Sequence, residues 1–172
     1  MKKLRLIEVP ASETLAINTM ALQKMRAGEN VFNLSAGEPM VPMSPRVGQG
    51  AVRALREGKT HYPPFLGIPE LRHAASNWIN RSYGTRYTDA HTIVVPGGKF
   101  GIFILLQAIL KPGDQVLIPS PYWVSYPTMV KIFGGVPKII HTTPKSNWKV
   151  SAKDIVKYAT KKTKVLIINN AG

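Results

Sequence analysis

The apolar residues of this chain follow two regimes. Before residue 91 they recur at helical spacing between glycine and proline stops. After it, short apolar runs alternate with helical stretches. In the first regime, Leu15, Thr19, Leu22 and Met25 mark one face of a predicted helix over residues 12–27, with Ser12 as its N-cap and Gly28 just past its end. Residues 31–34 read as a short strand, and a loop rich in glycine and proline follows over residues 36–45. Ser44-Pro45 opens a second helix that Gly58 closes. Pro63-Pro64 imposes an extended link, because a residue before proline avoids the helical region. Pro69 then starts a third helix through Leu71, Ala74, Ala75, Trp78 and Ile79.

In the second regime the pattern predicts strands over residues 92–95, 115–118, 136–141 and 164–169. Helices are predicted over 99–110, 122–133 and 151–159. Lys111-Pro112-Gly113 and Gly134-Gly135 are stops, and Ser151 with Asp154 three residues later forms a capping pattern. Near-continuous apolar strands are those covered by helices on both faces. Their alternation with helices implies an α/β fold with a parallel or mostly parallel sheet and right-handed crossovers. Ligands of such sheets bind at the carboxyl ends of the strands, which directs attention to residues 96–99, 119–123 and 169–172. A strand this close to residue 172 is expected of an interrupted domain; the alternative is that it completes a small sheet.

Composition narrows the function classes. A chain of 172 residues suits one ordinary domain that can bury a core without disulfides or metal. With no cysteine, a disulfide scaffold, a thiolate zinc site and a cysteine nucleophile are excluded, and a reducing cytoplasm is the expected setting. Glu8 and Glu13 interrupt the opening residues, so no export signal is expected. The longest apolar region, residues 100–110, holds Gly101 and Gln107 and falls well short of the ~20 residues of a spanning helix, so no membrane partner is expected. The charge is lopsided, with 23 Lys and Arg against 9 Asp and Glu and a net +14, which raises nucleic acid or another polyanion as a partner. Against that reading, the basic residues are dispersed, with neither aromatic interleaving nor a helix-turn-helix pattern. His61, His73, His91 and His141 lack ligand spacing, so no metal site is expected.

Candidate chemistry sits in four places. In VVPGGKFG, Gly97 and Gly98 permit close backbone approach, the helix start turns N–H groups outward and Lys99 adds positive charge. Together they make a candidate phosphate cup, although neither the Walker spacing nor the G-x-G-x-x-G spacing is present; the alternative is a tight turn with an exposed lysine. In SPYWVSY, Trp123 has a ring suited to covering a flat ligand, worth about 0.5–1.5 kcal/mol beyond burial; the alternative is a packed aromatic. Gly37, beside Glu38-Pro39, offers a backbone N–H to a carboxylate, or simply builds a turn. Tyr62 precedes the double proline, which holds it on a stiff loop, or it is a surface tyrosine.

The segments LSAGEP, HYPPFLGIPELR, VVPGGKFGIFILLQAIL, KPGDQVLIPSPYWVSYP and KVLIINNAG, in this order and spacing, resemble the N-terminal part of class I aminotransferases of the aspartate aminotransferase kind. The resemblance implies a three-layer α-β-α fold, the pyridoxal-phosphate transferase fold type I, incomplete at its C-terminus. Residues 1–33 would form an N-terminal arm and part of a small domain, and residues 34–172 the first part of the large cofactor-binding domain. The cofactor implied is pyridoxal phosphate, and the substrates implied are an amino acid, aspartate or an aromatic one, and a 2-oxo acid. Gly97, Gly98 and Lys99 would hold the cofactor phosphate. Trp123 would stack on the pyridine ring and touch the substrate carboxylate, and Gly37 would contact the substrate. Tyr62 would reach the phosphate in the other subunit of a homodimer. Three positions depart from the family pattern: Phe100 stands where glutamine is usual, Met40 where an acid is usual, and Ala171 where proline is usual. The covalent lysine of the family lies further along than residue 172. Lys99, committed to the phosphate turn, does not replace it, so the 172-residue chain is expected to be inactive and to carry no catalytic residue. The alternative function is a basic α/β module that binds nucleic acid or another polyanion.

Overall fold

The computed structural model describes residues 13–35, 37 and 41–169. The expected N-cap Ser12, the Glu38-Pro39 turn, Met40 and Ala171 lie outside the described residues. The chain divides into two compact units, Asn33–Phe100 on the one hand and Met1–Phe32 with Gly101–Gly172 on the other.

The Asn33–Phe100 unit carries helices α2 (Pro45–Arg56) and α3 (Pro69–Tyr83), after α1 (Glu13–Arg26) of the other unit. Both start on a proline, whose missing N–H costs nothing in the first turn. Gly58, at φ 68°, ends α2 in a double-bonded cap: Lys59 N–H donates to Ala54 C=O and Gly58 N–H to Leu55 C=O, both at 3.0 Å. Gly84, also left-handed, ends α3.

Residues 92–95 correct the sequence expectation. They run extended but pair with no strand, and residues 31–34 likewise join no ladder. Extended chain becomes a strand only when another backbone lies alongside it, and here other groups take the polar atoms. Arg72 Nε donates to Thr92 C=O at 2.9 Å, and its guanidinium also bonds Asp89 C=O. Val94 N–H donates to Leu66 C=O at 3.0 Å. Below these, the buried Ser76 hydroxyl donates to Asp89 Oδ1 at 3.0 Å, where His73 Nδ1 also lies at 3.3 Å.

The second unit holds a three-stranded sheet. After α4 (Gly98–Ile109), which runs across the division, come β1 (Gln115–Pro119), α5 (Ser125–Ile132), β2 (Val136–Ile140), α6 (Ala152–Tyr158) and β3 (Thr163–Leu166). The order is β2-β1-β3 and both pairings are parallel, as the alternating pattern predicts. Central β1 buries Val116, Leu117 and Ile118 almost completely. Each contributes about 1.5–3 kcal/mol by leaving water. The core continues through Leu106 of α4, Leu110 just past it, and Tyr126, Met129 and Val130 of α5.

Helix α5 begins later than residue 122. Pro127 sets this start: from residue 122 it would sit in the helix interior, lacking an N–H and clashing with a carbonyl. From Ser125 it falls in the first turn, where no such bond is needed. Residues 120–124 therefore remain a loop. Strand β3 is also shorter than the predicted 164–169, although Ile167 N–H still donates to Leu117 C=O at 2.9 Å. Helix α6 carries the expected reciprocal cap: Asp154 N–H donates to Ser151 Oγ at 3.1 Å, and Ser151 N–H to Asp154 Oδ2 at 3.1 Å.

Candidate functional site

The site is built from separate pieces. In the Asn33–Phe100 unit, the chain turns at Gly97, whose N–H donates to Val95 C=O at 2.8 Å. Its φ of 92° is a conformation that an L side chain rarely adopts, which explains a glycine there. A Cβ on Gly97 or Gly98 would meet nothing within 4 Å, so both backbones face open space. Gly98 opens α4, whose first-turn N–H groups have no partner within the helix. The exposed Lys99 follows, and the first turn holds no acid. The donors are thus amide hydrogens beside open space and a helix dipole, followed by the cationic Lys99. That set fits the phosphate of pyridoxal phosphate.

The same unit carries Tyr62 and Gly37. Tyr62 is fully exposed, at 103% of its reference area. Gly37 is exposed too, and a Cβ on it would meet no atom within 4 Å.

The sheet-bearing unit carries Trp123 on the loop after β1, half-buried. Its ring meets Tyr126 edge to face, with centroids 5.4 Å apart and planes at 87°. The Tyr126 hydroxyl donates to Asn169 Oδ1, just past β3, at 3.1 Å. Across the other side of β1, Ser120 N–H donates to Ile140 C=O at 2.9 Å, and Thr142 N–H to Ser120 Oγ at 3.2 Å. The Thr142 hydroxyl also bonds Ser120 C=O. All three strand tips are therefore tied at the carboxyl edge of the sheet, where α/β folds bind ligands.

The sequence pattern singles out Trp123 but not Tyr126, Ser120 or Thr142. Tyr126 had a signal: it falls three residues after Trp123, within reach of it once the chain turns into a helix. The Ser120–Thr142 bonds had none, since they depend on the β1–β2 register.

Among the described residues, no three His, Cys, Asp or Glu gather as metal ligands, and no helix is long and apolar enough to cross a membrane. The lysines after residue 130 are all exposed, spread over α5, β2, α6, β3 and their connections.

Residues 29–172 match the family "Aminotransferase class I and II", and the chain belongs to that family. It is similar to the probable aspartate/prephenate aminotransferase of Thermus aquaticus, 42% identical over 166 residues that cover 96% of this chain and 43% of the relative. The aspartate/prephenate aminotransferase of Thermus thermophilus is 43% identical over 92% of this chain and 41% of its own length. Among solved structures, an aspartate aminotransferase from Thermus thermophilus with maleate aligns at a TM-score of 0.91 and 40% identity, covering 97% of this chain and 46% of that one. The aspartate aminotransferase from Rhizobium meliloti aligns at 0.86 and 34% identity, over 95% and 44%. The chain thus spans less than half the length of these relatives. Its fold is that of the pyridoxal-phosphate transferases of fold type I, and members of the family use that cofactor.

Proposed function

We propose that this chain is the N-terminal portion of a cytoplasmic aminotransferase that moves an amino group from aspartate or an aromatic amino acid to a 2-oxo acid with pyridoxal phosphate. The observation that carries this reading is the Gly97–Gly98–Lys99 turn, a glycine-only conformation that opens a helix and leaves space before the amides. When bound, the cofactor supplies an electron sink for the substrate carbon. The residues of this chain hold and orient it. The first-turn amides of α4 and the Lys99 ammonium neutralise the phosphate. Trp123 lays its indole on the pyridine ring and meets the substrate carboxylate. The Gly37 backbone contacts the substrate. Tyr62, on its rigid exposed loop, reaches the phosphate held in the other subunit of a homodimer. Residues 34–172 serve as the first part of the cofactor-binding domain and residues 1–33 as an arm and part of a small domain.

In this reading Lys99, given to the phosphate, does not take the covalent role, and the 172-residue chain alone is expected to turn over no substrate. Binding is the property to test. 4-Deoxypyridoxine phosphate has the ring and phosphate of the cofactor but no aldehyde, so it does not react with the many surface lysines. The wild-type chain should bind it more tightly than inorganic phosphate, and Lys99→Ala should weaken both. Equal affinity for the two ligands would overturn the reading, as would measurable transaminase turnover by the chain alone for its last clause.

A further inference from the structure

Tyr126 is buried, with 7% of its surface exposed, and its ring belongs to the core formed with Leu106, Val116, Ile118, Met129 and Val130. A side chain so enclosed has one orientation. From that fixed position it makes two directed contacts at the carboxyl edge of the sheet, the perpendicular contact with Trp123 and the hydroxyl bond to Asn169. The two partners lie on different strand tips, and Tyr126 and Asn169 are 43 residues apart in sequence. Because Asn169 accepts through Oδ1, its amide NH2 is turned away from Tyr126, leaving both N–H bonds to other partners.

We infer that Tyr126 is a positioning residue: its ring sets the plane of Trp123 and its hydroxyl sets the amide of Asn169, so that the tips of β1 and β3 present a fixed surface to a flat, aromatic, phosphorylated ligand. This rests on the reading that Trp123 covers a cofactor ring. Tyr126 itself touches no ligand. It acts by restricting the motions that a loop tryptophan and a strand-end asparagine would otherwise have, which lowers the ordering cost of binding.

The test measures binding of 4-deoxypyridoxine phosphate and of inorganic phosphate by the full chain. Tyr126→Phe keeps the buried ring and removes only the hydroxyl. It should weaken the ring-bearing ligand about threefold to tenfold, the range of one neutral hydrogen bond, and leave inorganic phosphate unchanged. Asn169 is exposed, so Asn169→Ala tests the same bond without disturbing the core; it should reproduce the loss, and the double variant should add nothing. If Trp123→Phe weakens the ring-bearing ligand while Tyr126→Phe and Asn169→Ala do not, the positioning role is wrong and the cofactor reading survives. Additive losses in the double variant would also refute it. If the wild-type chain shows no preference for the ring-bearing ligand, the cofactor reading fails and takes this inference with it.

Discussion

A Cβ placed on Gly67 would lie 2.5 Å from Cγ2 and 2.6 Å from Cβ of Val94, closer than any real contact. Gly67 is also buried and left-handed at φ 100°. The extended segment 92–95 can lie against this loop only because residue 67 has no side chain. Gly67→Ala combines backbone strain with overpacking and should destabilise the Asn33–Phe100 unit by about 2–4 kcal/mol. Urea unfolding followed by circular dichroism measures this; a change within about 0.5 kcal/mol, the range of an ordinary surface substitution, would contradict it.

Arg72 replaces the missing strand neighbour. Its guanidinium bonds Thr92 C=O and Asp89 C=O together. Arg72→Ala removes the donor to Thr92 C=O, while Asp89 C=O still accepts from Thr92 N–H, and should cost about 1–3 kcal/mol. Arg72→Lys should recover only part of that loss, because an ammonium cannot reproduce the planar fork. Full recovery by lysine would show that charge, not geometry, matters.

At the Gly97–Lys99 turn, geometry and charge separate. Gly97→Ala meets no steric obstacle but forces alanine to φ 92°, so it should cost about 1–2 kcal/mol of stability and distort the amides. Lys99→Ala should weaken phosphate, whereas Lys99→Arg should restore it. Calorimetric titration with inorganic phosphate at two salt concentrations checks both, since the Lys99 contribution should shrink with added salt.

The Ser151 hydroxyl, donating at 2.6 Å, and then the Ser151 N–H hold the Asp154 carboxyl below its ordinary range. The folded pKa is depressed, so the stabilisation is present above the unfolded value and is lost as pH falls through the folded value. Ser151→Ala should raise the Asp154 pKa toward the ordinary value and fray α6 at its first turn. Carboxyl-carbon NMR titration reads this directly, and an unmoved Asp154 pKa would refute it. The Glu57 carboxyl, bonded at 2.7 Å by Lys59, is lowered as well and should return toward normal in Lys59→Ala.

How much was legible in the sequence follows the range of each interaction. The starts at Pro45 and Pro69, the stops at Gly58 and Gly134, and the Ser151–Asp154 cap all use partners within a few residues, so the local pattern announces them. The start of α5 is legible too once Pro127 is weighed against the longer apolar run, because a proline tolerates only the first turn. The turn at Gly97 and Gly98 was readable because a glycine pair before a helix has few conformations. The unpaired state of residues 92–95 was not readable, since a ladder needs a second backbone that local pattern does not supply.

The order of the chain by itself determined its helices, its turns and the parallel sense of its sheet, because propensity, capping and apolar period act between near neighbours. Only the tertiary structure decided that β1 lies between β2 and β3, that Arg72 serves residues 92–95 and that Tyr126 reaches Asn169. Those outcomes depend on packing, which brings distant residues within hydrogen-bonding reach, about 3 Å; for Tyr126 and Asn169 that packing is the core around Val116 and Ile118.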